Sequence, residues 1–166
     1  MATKNSTLNL KDINNLFYYD NGNLYRKIST QKNVLVHSKV GTKNTLGYMV
    51  VSIKNKTYLI HRLIFWLKNN YLPKYIDHID GNKLNNSIEN LREASNQQNC
   101  FNQKLRKTST SGIKNVRWDF RINKWVVRFT VNYKPKHIGV YAELHDAIEA
   151  AEKTRKQLHK EFARHF

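Results

Sequence analysis

The chain has a single cysteine, Cys100, so no disulfide can form within it, and a cytosolic setting is expected. No Cys-x-x-Cys pair occurs, which excludes a zinc-stapled finger held by paired thiolates. Acidic residues are scarce, 12 Asp and Glu against 29 Lys and Arg. Long apolar runs are missing too. None approaches the length needed to span a bilayer, and Met1–Asn9 is polar and lacks the apolar core of a signal peptide.

What is present in excess is positive charge. The formal net charge is +17, the footprint expected of a nucleic-acid partner. An inert basic surface or an anionic membrane would also fit that number. Nine Tyr and three Trp interleaved with the basic segments favour nucleic acid, with no membrane role expected. A hydrophobic content of 40% permits packed cores, but the sequence reads as small modules in series, each with a small core.

Leu10, Ile13, Leu16 and Phe17 recur at helical spacing and predict a short helix. Phe17-Tyr18-Tyr19 runs into the turn signal Asp20-Asn21-Gly22-Asn23, and Leu24-Tyr25-Arg26-Lys27 returns as the second arm of a hairpin. Residues 28–45 are polar, carry Lys32, Lys39 and Lys43, and read as loop. A second hairpin is expected from Gly47–Ile53 and Thr57–Ile60 around Lys54-Asn55-Lys56. Ile60, Leu63, Ile64 and Leu67 then predict a helix to about Asn70, stopped by Asn69-Asn70 and Pro73. His61 begins that helix. A capping or packing role is preferred for it over a second active-site histidine.

The segment after this helix carries the chemistry. Ile76-Asp77-His78-Ile79 is strand-like, Asp80-Gly81-Asn82 is a turn, and Asn86-Ser87-Ile88-Glu89-Asn90-Leu91-Arg92 leads into a second strand. Ser95 and Gln98 have capping-box spacing at the start of a helix that bears Asn99. Strand, loop, strand and helix in this order can set Asp77 and His78 against Asn99. Phosphodiester hydrolysis needs a deprotonated nucleophile, neutralised phosphate charge and a stabilised leaving oxygen, which one metal ion and one histidine can supply. His78 is the candidate general base, because an imidazole titrates near neutral pH. Asp77 and Asn99 offer hard oxygen donors suited to one Mg²⁺ or Mn²⁺ ion. Asp80, Asn82 and Asn86 read as turn residues. Asn85, Asn96 and Asn102 read as solvated. Arg92 could bind phosphate or pair with Glu89 or Glu93.

The pattern D-H-x-D-G-N, N-x-x-E-N-L-R and N-x-x-N closely resembles the HNH nucleases of the ββα-metal fold, over about Ile60 to Gln103. It looks most like the phage-type homing endonucleases. The resemblance implies that Asn90 joins His78 as a catalytic residue by tethering the loop and orienting the imidazole. It also implies DNA cleavage to a 5′ phosphate and a 3′ hydroxyl, and DNA contact by the N-terminal hairpin.

Residues 104–112 form a basic, hydroxyl-rich linker. Beyond it, Val116–Arg121, Trp125–Val131 and Lys136–Val140 read as three strands, and Leu144, Ala147, Ile148, Ala151, Leu158 and Phe162 as one helix. Alternation sets Val116, Trp118, Phe120, Trp125, Val127, Phe129 and Val131 under the helix, and Arg117, Arg121, Arg128 and His137 on the open face. The basic helix end, Lys153 to His165, suits the helix dipole whether or not it binds phosphate.

The residues G-I-K-N-V-R-W, K-W-V-V-R, I-G-V-Y and D-A-I-E-A-A make Ser111 to Phe162 similar to the plant ethylene-response-factor (APETALA-type) DNA-binding domain. That likeness implies DNA contacts by Lys114, Arg117, Arg121, Arg128 and His137. Asp119 and Ala142 depart from the family pattern, so no target sequence transfers.

The expected fold class is α+β, built of small modules in series. The segments are an N-terminal hairpin region (1–59), a ββα nuclease finger (60–103), the linker (104–112) and a three-stranded antiparallel sheet packed on one helix (113–166). The expected function is a site-directed, metal-dependent endonuclease on double-stranded DNA, with a monomer favoured, acting in the cytoplasm of a phage-infected host. Two rivals stand beside it: a DNA-binding regulator with a structural finger, and a restriction or toxin-type nuclease with little site preference.

Overall fold

Asn9 caps the first helix with its side chain, accepting from the Asp12 amide at 2.8 Å while Asp12 reaches back to the Asn9 amide. The computed structural model describes residues 8–29, 34–103, 105, 109 and 111–163. Most of the polar start, Lys32, much of the linker and His165 lie outside these residues. The fold is mixed α and β, with small antiparallel sheets. It divides into two compact units that meet in sequence at Ala94 and Ser95.

In the first unit, α1 (Leu10–Leu16) leads straight into the hairpin β1 (Phe17–Asp20) and β2 (Asn23–Arg26). Its turn is Asn21-Gly22, both at positive φ, as a tight two-residue hairpin turn requires. β3 (Thr42–Lys43), β4 (Met49–Ile53) and β5 (Lys56–Leu59) form the second sheet, with Lys54-Asn55 as its turn. The short β3 lies within the stretch read as loop. Its polar side chains hide the strand pattern, while its neighbour Val40 is buried. Next comes α2 (Ile60–Asn69), which ends at Asn70 in the left-handed conformation. Arg62 donates to the carbonyls of Pro73 and Lys74, so the chain leaving α2 is tied back to it. β6 (Tyr75–His78) then pairs with β7 (Leu91–Ala94), Asp77 opposite Arg92.

One core serves the whole unit. Ile13, Phe17, Leu24, Val51, Ile60, Leu63, Ile64, Ile76 and Leu91 pack together. Both hairpins, α2 and the paired strands β6 and β7 thus share one apolar interior, and burial of each large side chain contributes roughly 1.5–3 kcal/mol.

The second unit begins with α3 (Asn96–Phe101), opened by the Ser95–Gln98 capping box as the spacing predicts. β8 (Val116–Asp119), β9 (Lys124–Val131) and β10 (Lys134–Tyr141) form an antiparallel sheet with β9 in the centre. The helix α4 (Leu144–His159) covers it. Val116, Val127 and Phe129 meet Ala147 and Ala151, whose small side chains let the helix lie close. One expectation fails here. Asn102 is buried rather than solvated. Arg155, in the basic helix end, is fully buried and donates to the carbonyl of Lys114 at 2.6 Å. A guanidinium turned inward closes the start of the sheet against the helix, which composition cannot reveal. No described helix is long and apolar enough to cross a membrane.

Candidate active site

His78 is the last residue of β6, and its ring is buried. Three groups surround it. The His61 ring packs edge-on against it at 4.9 Å between centroids, Tyr48 lies 6.2 Å away, and Asn86 Oδ1 meets Nε2 at 3.0 Å. An amide oxygen only accepts, so this bond puts the ring proton on Nε2 and the basic lone pair on Nδ1.

Asn86 is the residue that sequence reasoning misplaced. It reads as a turn residue, and its signal is no more than one Asn in an Asn-rich loop. In the structure it is buried and bonded to the imidazole. The first hairpin braces the segment that carries it: Tyr19 Oη accepts from the Ile88 amide at 3.1 Å. Gly22 lies so close that a Cβ there would come within 3.0 Å of the Ser87 nitrogen, and its φ of +77° already favours glycine. Asn86→Ala is expected to keep the fold and lower cleavage roughly 10- to 100-fold, because the ring loses the partner that fixes its tautomer. Cleavage rates beside a ring-nitrogen NMR spectrum would check this. An unchanged rate would sink the positioning role.

The side chain on Nε2 of His78 is that of Asn86, and Asn90 instead holds the loop after β6. Its Oδ1 accepts from the Asp80 amide, and its Nδ2 donates to Asp80 Oδ1 and to the Asn85 carbonyl. Asp80 also accepts from the Asn82 amide and the Asn85 side chain. Burial opposes charge on Asp80, yet these hydrogen bonds, with the nearby His78, hold its carboxyl below the usual range. Asn85 is therefore part of the loop network and is not simply solvated. Asp80 and Asn82 keep the turn roles expected of them.

Asp77 is buried on the strand beside His78. Its Oδ2 accepts from Arg92 Nε at 2.9 Å and Nη2 at 2.8 Å. The arginine thus has a carboxylate partner, Asp77, that spacing along the chain did not offer. The cross-strand register of Asp77 and Arg92 selects the pair, and an ion pair this enclosed needs such geometry to offset desolvation.

His61 is buried in the first turn of α2 and touches the catalytic candidate as a packing neighbour. Burial, then the His78 and Arg62 charges, lower its pKa to about 3, so it is neutral in the folded chain near pH 7. Lys83 Nζ sits 4.4 Å from the Tyr48 ring centre and donates to the Leu46 carbonyl, adding a cation on the outer side of Tyr48.

Asn99 lies on α3, in the second unit. Among the described residues no group of three or more His, Cys, Asp or Glu could hold a metal ion by itself. The donors present, one carboxylate and side-chain amides, still suit Mg²⁺, which is commonly held by one or two carboxylates with waters and substrate phosphate completing its shell.

On the second unit, Arg117, Arg128 and His137 are exposed on the face of the sheet away from α4, with Arg128 paired to His137 across strands. Arg121 is not on a strand but in the β8–β9 turn. Lys114 is partly buried, and its ammonium donates to the Phe101 carbonyl at 3.4 Å.

An HNH endonuclease family model matches residues 58–100, which include Tyr48's neighbours His61 and His78, the Asn86–Asn90 loop and Asn99. The chain is 38% identical over 107 residues to Protein 3.8 of Escherichia phage T7, covering 63% of this chain and 87% of that one. It is also similar to two uncharacterized HNH endonucleases of Acanthamoeba polyphaga mimivirus. One is 31% identical over 126 residues, covering 72% of this chain and 36% of the relative. The other is 48% identical over 61 residues, covering 35% of this chain and 30% of the relative. This chain thus matches about a third of each mimivirus protein's length. No solved structure matches the chain.

Proposed function

Because the chain belongs to the HNH endonuclease family, we propose that it is a homing-type endonuclease that cuts double-stranded DNA with one divalent metal ion. The observation that carries this reading is the buried His78, held through Nε2 by Asn86 at the end of a strand whose following loop is locked by Asn90. Nδ1 of His78 takes the proton from the attacking water. Asn86 holds the tautomer, and Asn90 with Asp80 holds the loop. Asp77 is the carboxylate proposed for Mg²⁺ or Mn²⁺. Asn99 is proposed as the amide donor from the motif alone. When bound, the metal supplies charge neutralisation at the scissile phosphate and the leaving oxygen.

The exposed Arg117, Arg128 and His137, with Arg121 in the adjoining turn, are the proposed DNA contacts of the second unit. The likeness to the ethylene-response-factor sheet supports this reading, as does the overall charge of +17. The finger would then span 60–103 and the reader 113–166. Action as a monomer in the cytoplasm of a phage-infected cell is the setting proposed.

A regulator whose finger is only structural draws support from the Asp77–Arg92 pair, since that carboxylate already has a cationic partner. Supercoiled plasmid separates the two readings. With Mg²⁺ the chain is expected to convert it to open-circle or linear DNA, and EDTA is expected to stop this. RNA of the same length is expected to survive. Binding without cutting, on plasmid and on DNA carrying the natural insertion site alike, would leave the regulator.

A further inference from the structure

Strand alternation places Phe120 under α4 with Val116 and Trp118, and the structure puts it outside. β8 stops one residue earlier, at Asp119, whose Oδ1 accepts the Arg121 amide at 3.1 Å and turns the chain. Asn123, at φ +48°, completes the turn into Lys124. A four-residue tip results. Phe120 is 77% exposed and Ile122 50% exposed, and the Arg121 side chain between them is 87% exposed.

An apolar ring left on a projecting turn invites a partner, and the charge around it says which. Arg117 and Arg121 both lie 3.5 Å from Asp119, and Lys124 and Arg128 follow along β9. The arginines of these pairs are exposed, and an ion pair with so exposed a cation contributes little and lets it turn to another anion. A point of two apolar side chains rimmed by cations fits a polyanion with an apolar, stackable interior, which is the chemistry of duplex DNA. We propose that Phe120 is a wedge that enters between adjacent base pairs when the arginine face of the sheet docks, with Ile122 supporting it. Proteins that insert such side chains unstack a base step and bend or unwind the duplex. The inference rests on the reading that this sheet face binds DNA.

The test uses the full chain in EDTA, so that no strand is cut. Relaxed plasmid is incubated with protein and a metal-independent topoisomerase, then stripped of protein and resolved into topoisomers. Wild type is expected to shift the distribution in proportion to the protein bound. Phe120→Ala, an exposed position that the core does not need, is expected to bind a short duplex about tenfold more weakly with an unchanged salt slope, since stacking and not a phosphate contact is lost. Its topoisomer shift is expected to vanish, and Phe120→Leu to restore most of it. The double variant Arg117→Ala/Arg128→Ala reports on the underlying reading and is expected to flatten the plot of log affinity against log salt by about 2. If it changes neither affinity nor slope, the sheet is not the DNA face and the wedge falls with it. If the arginines matter but Phe120→Ala shifts topoisomers like wild type, or wild type binds without any shift, the wedge alone is overturned and the tip belongs to a protein partner.

Discussion

His78→Ala is expected to lower plasmid cleavage roughly a thousandfold, within the range general-base removal produces, while DNA affinity stays within about twofold. Affinity survives because the charge of +17 rests on surface lysines and arginines and not on one buried imidazole. The ring is flanked by Asn86 and His61, so its removal leaves a small cavity bordered by a hydrogen-bond acceptor. Added imidazole can occupy such a cavity, with its N–H toward Asn86 and its lone pair where Nδ1 was. Partial rescue that saturates with imidazole is therefore expected, and methylated imidazole that fills the space without the N–H should rescue less. Full activity in His78→Ala would end the general-base assignment. Loss of activity without rescue, accompanied by a large fall in thermal midpoint, would reassign His78 to structure.

Acid is expected to unfold both units through histidines that the fold keeps neutral. Burial, then the His78 and Arg62 charges, put His61 at about 3. In the second unit, burial, then the Arg155 and Lys114 charges, put His159 at about 4, stacked at 3.6 Å on Phe101. An unfolded histidine titrates near 6.5. Between that value and its folded pKa, each site takes a proton only when the chain unfolds, so stability is complete above about pH 6.5 and declines as pH falls. The decline is about 1.4 kcal/mol per pH unit for each histidine and ends at the folded pKa. At pH 4.5 each unit has thus lost about 3 kcal/mol, a large part of a small domain's stability. Hydrogen exchange followed by mass spectrometry reads the two units separately. His61→Phe should move the acid transition of the first unit to lower pH and leave the second where it was. A transition that does not move would mean that His61 gains its proton without unfolding.

Much of the fold was legible because its elements are local. Asn21-Gly22 and Lys54-Asn55 mark their hairpins, Ser95 with Gln98 marks the start of α3, and the 3.6-residue spacing of α2 and α4 marks their buried stripes. The order of Asp77, His78, Asn90 and Asn99 in the chain likewise points to an HNH-type nuclease, because spacing along the chain is enough to recognise a motif. Phe120 shows where that logic stops. Alternation assumes a strand continues, and the Asp119 side chain ended β8 one residue too soon for the pattern to hold.

The sequence by itself determined the charge, the hairpins and the helices, and it singled out the candidate histidine. The tertiary structure alone decided who touches it. Asn86 and Asn85 are indistinguishable from solvated turn residues until the loop closes on Asp80 and Asn90, and Arg92 has three plausible anions until β6 and β7 pair and place Asp77 opposite it. The reason is physical. Hydrogen-bond and ion-pair partners across strands and loops are set by register and burial, and a short polar side chain has the same local propensity whether water or a buried imidazole receives it.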